Sequence, residues 1–217
     1  GFVGTGSQIW TLLALHDLLQ RPALLALAER CAEAAEHRGF QQAAKFELID
    51  GVSGMILPLL ALAEATGNAR WLELAAAAGR RMQDAAIVDA DGARWPTPQF
   101  SEPIGGFGHG AMGMGWALAR LARSEAGSVP ERAAWRRLAE GAFAFQAALF
   151  EPHTGHWRDI HLQDGQKNFP TWCHGSVGIG LAAADLYART GDAAQLRDMR
   201  RAVADARGKW GFSHTLC

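Results

Sequence analysis

Two cysteines and a histidine pair are the residues of this 217-residue sequence whose types and spacing suggest chemistry. Cys173 and His174 stand together in the segment TWCHG, and Cys217 ends the segment HTLC. Two thiolates that meet in a fold could share a Zn²⁺ ion, whereas free cysteines are also often small buried hydrophobic residues. The spacing alone leaves both interpretations of Cys173 and Cys217 open.

His109 lies between glycines in the segment GFGHG. The unperturbed pKa of histidine is about 6.5, which suits a general acid or base near neutral pH. A histidine in a glycine-rich turn could equally cap a helix or bind the backbone. His174 has the corresponding position in its own segment, so the same two interpretations apply to it.

Four glycine-led segments with similar patterns determine where these residues lie. They align on Gly4, Gly51, Gly110 and Gly175, and each continues into an apolar helix. An amphipathic helix is predicted after each one, over Pro22–His37, Ala69–Asp84, Pro130–Leu149 and Ala193–Arg207. Alternating apolar and amphipathic helices predict an all-α fold of inner and outer helices, an α/α toroid, with the inner helix starts meeting at one mouth. Four pairs would leave the ring open, so we expect a partial toroid.

The composition argues against several classes of protein. The sequence is 49% apolar and 20% charged with a formal net charge of −1, so the basic footprint of a nucleic-acid-binding protein is absent. No apolar run reaches the ~18 residues of a membrane span, and no signal peptide is evident, which favours a cytoplasmic protein. Cys31 lies on an outer helix and is expected to be structural. We expect a single domain over 1–217, truncated at both ends, because no methionine opens it.

Two long connections are rich in Pro, Gly, Asp and aromatic residues, over Val88–Gly105 and Pro152–Pro170. Each leads directly into a glycine segment that carries a histidine or a cysteine. Connections of this length inside a compact domain are usually functional or disordered. We therefore expect both to be loops that border a site.

Three segments resemble motifs of the LanC-like lanthionine cyclases. GFGHGAMGMGWAL (106–118) resembles their GFxHG segment, TWCHGSVGIGLA (171–182) their WCHG segment, and the terminal HTLC the start of their last motif. LFEPHTGHWRDIH (149–161) is similar to the segment before WCHG in the cyclase half of class II lanthipeptide synthetases. The resemblance implies a double α-toroid. It also implies addition of cysteine thiols to dehydroalanine or dehydrobutyrine in a ribosomal precursor peptide.

The resemblance also implies roles for individual residues. Cys173 and Cys217 would be zinc ligands, with a third ligand, a histidine, after Cys217. His109 would be the acid or base, with His174 as an alternative, and Glu47 would orient or tune His109. Glu47 departs from the family's aspartate.

Two further departures affect the site. No arginine precedes Cys173 closely, so Lys167 and His161 are the candidates for the family's arginine, and Val177 replaces the usual proline. The parent chain would also carry a dehydratase domain. Without the final ligand, zinc binding by this chain is expected to be weak.

Three other functions remain open. A LanC-like protein could add glutathione to dehydrated residues, or could have lost its activity. A helical-repeat module could only bind peptide, in which case Cys173 and Cys217 need not meet. A carbohydrate-active toroid would need two carboxylates across a cleft, for which Glu47 and Asp50 are the available pair.

Overall fold

The chain forms helix pairs, as a computed structural model that describes residues 3–160 and 169–208 shows. The described part is all-α apart from short strands and a 3₁₀ turn at Phe40–Gln42. The α-helices are α1 (Thr5–Leu19), α2 (Pro22–His37), α3 (Ser53–Thr66), α4 (Ala69–Ala85), α5 (Ala111–Leu121), α6 (Val129–Ala148), α7 (Ser176–Thr190) and α8 (Ala193–Gly208). The four amphipathic helices predicted from the sequence are α2, α4, α6 and α8, and their bounds agree within one residue. None of the described helices is both long and apolar enough to cross a membrane.

The described residues fall into two compact units. One comprises the chain up to Ala86 together with Ala117–Leu138, and the other comprises Ile87–Trp116 together with the chain from Ala139. In the first unit, α1 packs against α2 and α3, and α3 packs against α4. In the second unit, α7 packs against α8. The predicted pairing is confirmed for α1 with α2, α3 with α4 and α7 with α8, whereas closure of the helix pairs into a toroid stays a prediction.

The glycine-led helices differ in how completely they are buried. In α3 every residue from Ser53 to Leu59 is buried. By contrast, Trp10 on α1 is 50% exposed and Leu181 on α7 is 56% exposed. The glycine-led helices α1 and α7 are therefore only partly buried in the described part of the chain. Apolar side chains lie on more faces of α1 and α7 than the neighbouring described helices cover.

Two antiparallel hairpins lie where the sequence predicted only loops. Strands β1 (Ile87–Asp89) and β2 (Gly92–Arg94) pair after α4, and β3 (Phe150–Glu151) and β4 (His156–Trp157) pair after α6. Both hairpins belong to the second unit, and the turn of each ends at or directly before a glycine with positive φ, Gly155 in the second hairpin and Gly92 in the first. Each is followed by the connection to a glycine-led helix, so both long connections begin with a folded turn.

Two of the aligned glycines, Gly51 and Gly110, share one backbone arrangement. The chain before each helix folds back, so that Val52 N donates to Lys45 O (3.0 Å) and Ala111 N donates to Ile104 O (2.9 Å). In both cases the hydrogen bond joins the residue that follows the aligned glycine to the residue six positions before that glycine. A Cβ on Gly51 would lie 2.5 Å from the backbone of Glu47, a distance that real Cβ atoms do not reach. The returning chain therefore requires a residue without a side chain, which is why the glycines recur.

Candidate functional site

The GFGHG loop (106–110) and the TWCHG loop (171–175) are joined through one carbonyl group. Phe107 N and Gly108 N both donate to Cys173 O, each at 2.8 Å. A carbonyl oxygen has two lone pairs, so it can accept both hydrogen bonds at full strength. Both loops lie in the second unit and precede α5 and α7. The sequence prediction that these two motifs meet is therefore confirmed for the loop backbones.

Gly106 lies at the contact between the two loops. Its φ is +94°, and a Cβ there would lie 2.8 Å from both Cys173 O and the Cα of His174. A side chain at this position would be strained by the backbone conformation and would also collide with the TWCHG loop. The close approach of the two motifs therefore depends on a glycine at position 106.

The rings of His109 and His174 stack on each other beside this contact. Their centroids lie 5.2 Å apart and the ring planes differ by 23°. Phe100 meets both rings edge-on, at 6.3 Å from His109 and 6.1 Å from His174. Gln99 Nε2 lies 3.5 Å from His109 Nδ1, at the outer limit of a hydrogen bond. Both histidine residues are partly exposed.

Cys173, which directly precedes His174, is fully buried. Next to it, the Phe107 ring packs edge-on against Trp172, with 5.4 Å between centroids, and lies at the same distance from Trp116. Trp116 Nε1 in turn donates to Asp185 Oδ2 at 2.8 Å. An aromatic wall of this kind excludes water and holds the backbone of the cysteine loop in place.

The described residues supply one of the expected zinc ligands. A cysteine thiolate suits Zn²⁺ chemically, and Cys173 is the described cysteine to which the family resemblance assigns that role. Cys217 lies outside the described residues, as do His161 and Lys167. Within 3–160 and 169–208, no group of three or more His, Cys, Asp or Glu side chains could hold a metal ion. Cys31 is a free cysteine on α2, in agreement with its predicted structural position.

Glu47 belongs to the first unit, in the chain that folds back before α3. It is 3% exposed, and its carbonyl accepts a hydrogen bond from Gly51 N. Nearby, Lys45 Nζ lies 2.8 Å from Asp50 Oδ2. The hydrogen bond that Lys45 donates to Asp50 raises the pKa of Lys45, and the charge of Glu47 adds to the effect. The carboxylate of Asp50 is thus engaged by a lysine, while that of Glu47 is buried.

Sequence reasoning missed two residues near the histidines. Phe100 lies in a connection rich in proline and polar residues, where nothing marked it. Gln146 is buried on α6, and its Oε1 accepts a hydrogen bond from Gly106 N at 2.6 Å. A signal for it was present, because Gln146 is the single polar residue of the apolar run FAFQAAL at 143–149.

Fold and site together define an all-α protein of helix pairs, with a cysteine and two histidines at the starts of glycine-led helices. The family described as lanthionine synthetase C-like protein matches residues 1–217, and the chain belongs to that family. A comparison with curated proteins gave no match.

Proposed function

We propose that this protein is a zinc-dependent cyclase that forms thioether rings in dehydrated ribosomal precursor peptides. Membership of the lanthionine synthetase C-like family supports lanthionine-type cyclase chemistry in general. The observation that carries the proposal further is the junction of the GFGHG and TWCHG loops, which stacks His109 on His174, the residue that follows buried Cys173. A proton donor thereby lies next to the thiolate ligand that the family resemblance assigns.

The proposed reaction adds a substrate thiolate to the β-carbon of dehydroalanine or dehydrobutyrine. The new S–C bond forms as the electrons of the C=C bond move onto the neighbouring carbonyl, and the resulting enolate takes a proton at the α-carbon. His109 is the proposed donor of that proton, with His174 as the alternative. Both rings are partly exposed, as a donor to an entering peptide must be.

Phe100 and the stacked partner ring restrict how the donating imidazole can turn. Because Phe100 meets both histidines edge-on, neither ring can rotate freely away from the other. A fixed ring orientation lowers the entropy that must be lost before proton transfer. The α-carbon of the enolate is then protonated from one face.

Zinc would supply a thiolate at neutral pH, because metal coordination lowers the pKa of a bound thiol. The residues proposed to hold it are Cys173 and, from the family resemblance, Cys217. Glu47 keeps its proposed supporting role toward His109 from the same resemblance. A dehydratase domain of the parent chain is the proposed source of the dehydrated residues.

Three variants in one assay test this function. We expect Cys173→Ala to lose bound zinc and to form thioether rings at least 100-fold more slowly. His109→Asn should keep zinc but lose about 10²–10⁴-fold in rate, the usual contribution of a positioned acid or base. Cys31→Ala is the matched control, because it removes a cysteine from α2 and should leave both readouts unchanged. Zinc content is measured by elemental analysis and ring formation by mass spectrometry, in reducing buffer.

Two outcomes would contradict the proposal. The first is unchanged zinc content and ring formation in Cys173→Ala. The second is a wild-type protein that joins added glutathione to the dehydrated peptide but forms no rings, which would favour the glutathione-adding alternative.

A further inference from the structure

Gln146 is a buried amide in contact with the loop that carries His109. It is 3% exposed and lies near the end of α6, forty residues along the chain from its partner Gly106. The partner atom is a backbone N–H, which can only donate, so the side-chain atom facing it is the amide oxygen. At 2.6 Å this is a short hydrogen bond between two buried groups.

The bond holds the GFGHG loop at its first residue. Gly106 N is bonded to Gln146, while the next two N–H groups, of Phe107 and Gly108, point to Cys173 O. Three consecutive backbone donors are thus fixed immediately before His109. The loop is also closed behind His109, because Ala111 N donates to Ile104 O.

The consequence for the histidines follows from this order of contacts. A Cβ at Gly106 would lie 2.8 Å from the Cα of His174, so the two loops pack closely at this residue. If Gly106 N lost its acceptor, one of the contacts that fix the loop against the cysteine loop would be removed, and the loop could shift. Such a movement would separate His109 from His174.

We propose that Gln146 is a positioning residue that fixes the GFGHG loop on the carbonyl of Cys173 and thereby sets the stacked geometry of His109 and His174. The expected effect of Gln146 on the rate of ring formation rests on the proposed function. Its expected effect on the geometry of His109 and His174 does not. Gln146 does not touch the substrate. It acts through the backbone of Gly106.

The test compares Gln146→Leu with Gln146→Glu in the whole protein. The leucine removes the acceptor, whereas a carboxyl oxygen accepts the hydrogen bond in either protonation state. Gln195→Leu is the matched control, because Gln195 is another glutamine of the second unit, on α8, and is 5% exposed. No hydrogen-bond partner for its Oε1 is found in the described part of the chain.

The first measurement needs no substrate. In Gln146→Leu we expect the Gly106 amide to exchange with deuterium at least 10-fold faster and the ring signals of His109 and His174 to shift in NMR spectra. Gln146→Glu and Gln195→Leu should keep the wild-type protection and ring signals. Should the leucine variant fail to fold, Gln146→Asn serves, since it keeps the amide but shortens its reach.

The second measurement is the rate of ring formation. Gln146→Leu should lower kcat about 10–100-fold with KM nearly unchanged, since small misplacements of catalytic groups cost up to about that much. Gln146→Glu should restore kcat to within about threefold. Unaltered Gly106 protection in the leucine variant, or equal losses of kcat in Gln146→Leu and Gln195→Leu, would overturn the proposal. If even the wild type forms no rings, the proposed function fails while the NMR data still decide the role of Gln146.

Discussion

At the scale of single residues, Gly106 is the position at which the two site loops are most tightly constrained. Gly106→Ala adds the strain of a positive φ, about 1–2 kcal/mol, and places a Cβ against Cys173 and His174. We expect the free energy of unfolding to fall by about 2–5 kcal/mol, since overpacking adds its own cost of about 1–3 kcal/mol. Urea denaturation measures this loss.

Gly155→Ala is the control, because it adds backbone strain without a steric clash of the new Cβ. Its φ is +77°, but nothing lies within 4 Å of a Cβ built there. Gly155→Ala should therefore cost only the backbone term, about 1–2 kcal/mol. Equal losses for the two variants would mean that the TWCHG loop moves aside freely, and that Gly106 does not set its position.

The site was predictable from the sequence only in part. His109, His174 and Cys173 stand at equivalent places in repeated segments, so periodicity was enough to bring them to neighbouring helix starts. Phe100 and Gln146 could not be placed this way, because their contacts with the site depend on tertiary packing and not on any repeated spacing. The ring stack itself also depends on this packing.

At the scale of elements, α6 begins with a capping box. Ser128 precedes the helix, and both its N and its Oγ donate to Glu131 Oε2 at 2.6 Å. The other oxygen, Oε1, lies 2.6 Å from Arg80 Nε on α4. The Ser128 hydroxyl and then the Arg80 guanidinium lower the pKa of Glu131 from 4.5 to about 2. One carboxylate thus caps α6 and joins it to α4.

This depressed pKa predicts a pH dependence of stability. Because the folded state holds the Glu131 carboxylate more strongly ionised than the unfolded chain does, its contribution is complete above about pH 4.5 and is lost as the pH falls toward 2. Glu131→Gln keeps the shape of the capping box but removes the charge. We expect it to be less stable than wild type by about 0.5–1 kcal/mol at pH 7, with the difference vanishing near pH 2.

Urea unfolding of both proteins at pH 7, 4 and 2.5 measures the effect. The control is Glu140→Gln, which removes the charge of an exposed glutamate on the same helix and should change stability by less than about 0.5 kcal/mol. A Glu131→Gln deficit that is constant across this pH range would show that the charge of Glu131 does not stabilise the α4–α6 contact.

Helices were the predictable elements and hairpins were not. The outer helices have a strong 3.6-residue pattern with proline in the first turn, as Pro22 and Pro130 show, and their bounds agreed closely. Strands β3 and β4 contain two residues each, too few for an alternating pattern to be recognised. Only the turn glycines Gly92 and Gly155 could have indicated them.

At the scale of the whole molecule, repetition is the organising feature. The same folded-back chain precedes α3 and α5, one in each compact unit, and only the side chains on it differ. The repeat before α3 carries buried Glu47, while the repeat before α5 carries His109. The scaffold is thus shared between these two repeats, while the side chains on it differ, with Glu47 four residues before its aligned glycine and His109 directly before its own. For this reason the periodicity of the sequence predicts the scaffold well. Closure of the helix pairs into a toroid would depend on contacts between repeats, which periodicity does not specify.

Metal removal tests whether Cys173 links zinc to the stability of the whole chain. A ligand that binds only the folded state stabilises it, by about 2.7 kcal/mol when its free concentration is 100 times Kd. For a chain of this length each kcal/mol corresponds to about 2–4 °C, so chelation should lower Tm by about 5–10 °C under those conditions. Cys31→Ala should show the same decrease, and Cys173→Ala should show none. Thermal unfolding with and without chelator measures the shift. If Cys173→Ala shows as large a decrease as wild type, the stabilising zinc is held elsewhere, and the zinc-dependent part of the proposed mechanism is wrong.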